Sequence, residues 1–85
     1  MERLLERLED AAEEIGLEVR HEAISRPGYT GGLCRIKDSW VVILNRGAPI
    51  DEKIDTLAAA IATRDTESVF LAPDVREIVD RHRKP

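Results

Sequence analysis

Leu33-Cys34-Arg35-Ile36-Lys37-Asp38-Ser39-Trp40-Val41-Val42-Ile43-Leu44-Asn45 is the stretch that decides the fold of this chain. Two runs of mostly apolar side chains flank the polar pair Asp38-Ser39, the pattern of a β-hairpin. With Asp38 and Ser39 as the turn, Lys37 faces Trp40, Arg35 faces Val42 and Cys34 faces Ile43. One face then carries Cys34, Ile36, Val41 and Ile43 and reads as core. The other carries Leu33, Arg35, Lys37, Trp40, Val42 and Leu44, a mixed face. A one-residue slip of register exchanges those roles, because side chains alternate between faces with a period of two.

Upstream, Leu17 to Ile24 alternates Leu17, Val19, His21 and Ala23 against Glu18, Arg20, Glu22 and Ile24, which predicts another strand. Ser25 to Gly32 holds Pro27, Gly28, Gly31 and Gly32 and reads as a loop. Residues 2–15 place Leu4, Leu5, Leu8, Ala11, Ala12 and Ile15 at three- and four-residue spacing, one face of a helix that Gly16 ends in the left-handed position. Downstream of Arg46-Gly47-Ala48-Pro49, a second helix runs from about Ile50 to Arg64, with Asp51 as N-cap and Ile50, Ile54, Leu57, Ala58 and Ile61 as its buried stripe. Glu67–Leu71 reads as a short fourth strand. Pro73 opens a closing helix anchored by Val75, Ile78 and Val79.

These elements define an α+β chain in the order α-β-β-β-α-β-α, with about three helices packed on a small, mostly antiparallel sheet. Its 85 residues suit one domain spanning 1–85 and leave no room for two, with the basic tail Arg81–Pro85 expected to fray. The core is thin at this size and rests on Leu, Ile, Val and Ala, since only Tyr29, Trp40 and Phe70 are aromatic. A functional site is therefore expected on a shallow groove, a loop or a subunit interface.

A net charge of −4 argues against general binding to nucleic acid or a membrane surface. The charge is uneven. Eight acidic residues between Glu2 and Glu22 oppose Arg3, Arg7 and Arg20, and the C-terminus is basic. The lone Cys34 has no disulfide partner, and no Cys/His cluster has the spacing of a zinc site. Without a signal peptide or an apolar run of membrane-spanning length, the expectation is a cytoplasmic protein that needs no cofactor.

Each candidate for chemistry in the chain also has a plainer reading. His21-Glu22 opens like the zinc-peptidase H-E-x-x-H, but Ser25 stands where the second histidine belongs, and the segment reads as a strand. The Gly28–Gly32 loop matches neither a P-loop nor a dinucleotide fingerprint, and it leads into a strand where those motifs lead into a helix. Cys34 follows two glycines and precedes Arg35, which suits a reactive thiol. Against this, a nucleophilic cysteine calls for a histidine partner, and a lone cysteine serves equally as a small core side chain.

The stretch Gly31-Gly32-Leu33-Cys34-Arg35-Ile36-Lys37, followed by Trp40-Val41-Val42-Ile43-Leu44-Asn45, Pro49 and a helix, resembles a group of short uncharacterised bacterial proteins. That resemblance covers most of residues 31–79 and implies a fold and a compartment, not an activity. In element order the chain also resembles the front part of ImmA/IrrE-type zinc metallopeptidases, where a strand ending near an asparagine leads into a helix bearing H-E-x-x-H. Here the corresponding helix reads Thr56-Leu57-Ala58-Ala59-Ala60-Ile61-Ala62-Thr63-Arg64, with neither histidine nor glutamate. No catalytic residue carries over from that family.

The sequence leans away from an enzyme and toward a non-enzymatic protein-interaction or regulatory module. Its candidate surface is Tyr29, Arg35, Lys37, Trp40 and Arg46. The expected partner is a second copy, in a homodimer that docks the basic Trp40 face on the acidic first helix, or another protein. The alternative is a ligand- or redox-sensing domain, or a small enzyme, using Cys34 with the Gly28–Gly32 loop. The third reading is nucleic-acid binding through Arg35, Lys37 and Trp40.

Overall fold

A computed structural model describes residues 2–25 and 31–83 of the chain. Three helices and three strands follow one another as α1 (Glu2–Glu14), β1 (Glu18–Glu22), β2 (Gly31–Ile36), β3 (Ser39–Asn45), α2 (Ile50–Ala62) and α3 (Pro73–Arg81). The class is α+β, with the helices packed against one face of a small sheet.

Helix α1 ends as its sequence dictates. Gly16 takes φ +89°, its amide donates to Glu13 O, and the Leu17 amide donates to Ala12 O. This is the Schellman pattern, in which a left-handed residue lets the chain turn back and satisfy the last carbonyls. Leu8, Ala11 and Ala12 face inward and Leu17 continues the core into β1. Helix α3 begins at Pro73, where the missing amide has no cost, and buries Val75 and Val79.

The strand order is β1-β3-β2. β2 runs antiparallel to β3, and β1 runs parallel to it, with Val19 opposite Val42 and His21 opposite Leu44. The sheet is thus mixed, its larger ladder being the hairpin. β1 and β2 flank β3, and β1 ends beside Asn45 while β2 begins beside Leu44, at the same end of β3. There the Asn45 side chain accepts from the amides of Ile24 and Gly47, and the Arg46 amide donates to Glu22 O.

The parallel register decides which face is core. Glu18, Arg20 and Glu22 stand beside Val41, Ile43 and Asn45, so that side of the sheet carries three charges. Val19 stands beside Val42 on the other side, and Leu33, Val42 and Leu44 pack there against Ile54, Leu57, Ala58 and Ile61 of α2. Apart from Lys37, which lies in the turn, the expected grouping of residues by face is therefore right, but the expected core face is the wrong one. Cys34, Ile36 and Ile43 are half-buried on the outer face, and only Val41 among them is fully covered.

Three local expectations are also corrected. The hairpin turn is Lys37-Asp38, not Asp38-Ser39, so Arg35 faces Trp40 and Cys34 faces Val41. The residue at the N-cap of α2 is Pro49, without a side-chain cap, and Asp51 sits one step inside, where its charge suits the positive helix end. No fourth strand forms at 67–71. The Glu67 amide donates to the Asp65 side chain and the Val69 amide to Thr66 O. Those local turns satisfy amides that a strand would offer to a neighbour, and Leu71 enters the core from the side of the helices.

Candidate functional site

Trp40 stands at the start of β3, on the helix side of the sheet, and is 36% exposed. Its cross-strand neighbour is Arg35, whose Cζ lies 5.7 Å from the indole centroid. A second guanidinium, that of Arg64, lies closer, at 4.7 Å. Each contact is a cation–π interaction worth about 0.5–2 kcal/mol, depending on how far it is removed from water.

The arrangement follows from chain geometry. Helix α2 begins just after β3 ends and returns antiparallel over it. A helix of 13 residues spans about 20 Å, close to the ~23 Å of a seven-residue strand. The residue after the helix therefore arrives above the first residues of β3, which places Arg64 on Trp40. Sequence reading missed Arg64, although matching the two lengths would have found it.

Neither Arg35 nor Arg64 has a carboxylate partner among the described residues. Arg64 Nε is buried without a hydrogen-bond partner. Two cations thus converge on one indole with no anion between them, and a buried N–H lacks the acceptor whose absence costs about 1–3 kcal/mol. A shallow apolar groove lies alongside, lined by Leu33 of β2 and Thr56, Ala59, Ala60 and Thr63 of α2 and its end.

The other expected surface residues distribute differently. Lys37 is in the hairpin turn at φ 56°, next to the cluster in the chain but off the sheet face that holds Arg35 and Trp40. Arg46 follows the opposite end of β3 and donates to His21 O, away from Trp40. Tyr29 and Gly28 lie outside the described residues.

Cys34 is half-buried on the outer face, with Sγ 3.9 Å from Gly32 O. His21 points to the helix side, where its ring pairs with Glu9 of α1, and His82 pairs with Asp55 of α2. Both imidazoles are thus committed on the side of the sheet away from the thiol, which leaves Cys34 without a histidine as general base. Near it on the outer face, the hydrogen bond and charge of Glu18 hold the Arg20 guanidinium above its usual pKa.

Among the described residues, no group of three or more His, Cys, Asp or Glu side chains has the arrangement of a metal site, and no helix is long and apolar enough to cross a membrane. No family model matches the chain, and neither does any curated protein or solved structure.

Proposed function

We propose that this chain is a non-enzymatic protein-interaction module that receives an acidic, partly apolar segment of its partner on the surface formed by Trp40, Arg35 and Arg64. The observation that carries the reading is the convergence of two unpaired guanidiniums on one half-exposed indole. Aromatic and arginine side chains together are the usual anchors of protein interfaces, because they combine large apolar contact with directed charge. The groove beside them offers Leu33, Ala59 and Ala60 to an apolar side chain of the same segment. A net charge of −4 favours a protein partner over a nucleic acid. The lone Cys34, free of any disulfide, supports a cytoplasmic setting.

Trp40 is the only tryptophan, so its fluorescence reports on the surface directly. Titration with a glutamate-rich peptide containing one phenylalanine should give a saturable change that weakens with added salt and disappears in Arg35→Ala/Arg64→Ala. A single-stranded oligonucleotide is the control. Saturation by the oligonucleotide and silence toward the peptide would replace the proposal with nucleic-acid binding, and silence toward both would end it.

A further inference from the structure

We infer that the acidic segment received by the Trp40 surface is the end of α1, with Phe70, of a second copy of this chain, so that the module forms a two-fold homodimer. This rests on the reading above and names its partner.

Two oppositely charged aromatic patches share one end of the molecule. Helix α1 finishes at Glu14, and four residues later β1 starts with Glu18 opposite Val41, the neighbour of Trp40. Helix α2 finishes at the same end, with Arg64 over Trp40. The connection from α2 to α3 then brings Phe70 against α1, where it lines a groove with Asp10, Ala11 and Glu14. The end of the molecule thus carries Trp40 with Arg35 and Arg64 at one place, and Phe70 with Asp10 and Glu14 at another.

Both patches are unfinished within one chain. Phe70 is 85% exposed, and with Trp40 it makes up the exposed large hydrophobic side chains of the described residues. Asp10 and Glu14 are exposed and have no ion pair among the described residues. Glu14 also lies at the negative pole of α1, whose last turn holds no basic residue, so an external cation stabilises it twice. The nearby cation in that groove, Arg7, is already engaged by Asp74. Among the described residues, the two arginines of the basic patch pair with no carboxylate and adjoin an apolar groove, while the acidic patch has no uncommitted cation and presents an exposed phenyl ring.

A two-fold axis sets each patch against the other, making two identical contacts, and such self-complementarity is what an isologous interface requires. Phe70 of one copy enters the groove of Leu33, Ala59 and Ala60 of the other, and the carboxylates of Asp10 and Glu14 reach the guanidiniums of Arg35 and Arg64. With two aromatic anchors per side, the contact is small, and the dimer is expected to be micromolar and salt-sensitive.

Charge exchange tests this directly. One variant carries Arg35→Glu/Lys37→Glu, which reverses the basic side and leaves the half-buried Arg64 in place. A second carries Asp10→Lys/Glu14→Lys. Sedimentation equilibrium from about 1 to 500 µM, spanning the micromolar range, should show wild-type dimers that dissociate as salt rises. Each variant alone should remain monomeric with an unchanged far-ultraviolet dichroism spectrum. An equimolar mixture of the two should dimerise, because both contacts of the mixed pair again join opposite charges. A folding defect cannot produce that rescue. A mixture that stays monomeric, or wild type that stays monomeric over the whole range, overturns the inference. A monomeric wild type whose Trp40 still responds to the acidic peptide overturns the second copy alone, and loss of both responses overturns the docking surface with it.

Discussion

The guanidinium of Arg83 donates to the main-chain carbonyl of Arg64 at 3.3 Å, so the residue that overlies Trp40 is held in place from the far end of the chain. The same side chain reaches Ala62 O at 3.4 Å and Thr66 Oγ1 at 2.8 Å. Helix α2 ends in carbonyls that its own turn cannot satisfy, and a cation placed there both donates to them and opposes the negative helix pole. Arg83 thus ties the end of α3 to the end of α2 and to Thr66.

Arg83→Ala should therefore lower stability by about 1 kcal/mol, seen as a melting temperature about 4–8 °C lower for a domain of this size. It should also shift the emission of Trp40, because Arg64 loses its backbone support. A variant that melts lower with unchanged Trp40 emission would show that Arg83 steadies α2 without organising the site.

Gly31 is required by contact as much as by conformation. It opens β2 at φ +112°, and a Cβ there would meet Ile43 O at 2.0 Å. The main chain of β3 cannot retreat from that contact without breaking the ladder that positions Arg35 opposite Trp40. Gly31→Ala is expected to cost about 3 kcal/mol or more, by strained backbone and steric overlap together. Gly47→Ala, whose added carbon would meet only the Asn45 side chain at an ordinary 3.7 Å, should cost little by comparison. Chemical denaturation of the two variants side by side checks the difference.

How far these features could be read in advance depends on the range of the forces that fix them. Helix α1, its glycine terminus, the start of α3 at Pro73 and the hairpin are local, and their residues announce them. The grouping of Cys34, Ile36, Val41 and Ile43 on one face was legible for the same reason, since it needs only alternation. The choice of core face was not, because it depends on β1 joining β3 in parallel and bringing Glu18, Arg20 and Glu22 to that side. The strand expected at 67–71 failed to the turn chemistry of Asp65 and Thr66, which competes with pairing. In the candidate site, Arg35 and Trp40 were legible as hairpin neighbours. Arg64, 24 positions beyond Trp40 in the chain, becomes legible only once α2 is laid back over β3 and their lengths are matched.

Cys34 should alkylate slowly in the folded protein. Its thiol is half-buried on the outer sheet face, and both histidines are engaged on the opposite side. Reaction with iodoacetamide followed by mass spectrometry is expected to be at least about tenfold slower in native buffer than in denaturant, as for a thiol without an activating base. Equal rates, or a faster native reaction, would revive the sensing role for this residue.

Lys37 supplies the clearest route to a more stable protein. It is the one non-glycine among the described residues with positive φ, at 56°, and it holds the first place of the two-residue turn between β2 and β3. That is the place where a II′ hairpin turn favours glycine, because a Cβ in the left-handed region crowds the following carbonyl at a cost of about 1 kcal/mol. Lys37→Gly removes that strain, although glycine also gains freedom in the unfolded chain, which offsets part of the benefit. The net expectation is a gain of up to about 1 kcal/mol in the free energy of unfolding. The substitution also removes one positive charge beside Arg35 while leaving the Trp40 stack intact. Peptide affinity at Trp40 should therefore fall only slightly, whereas Arg64→Ala should abolish it. If Lys37→Gly removed binding as completely as Arg64→Ala, the turn and not the stack would be the docking site.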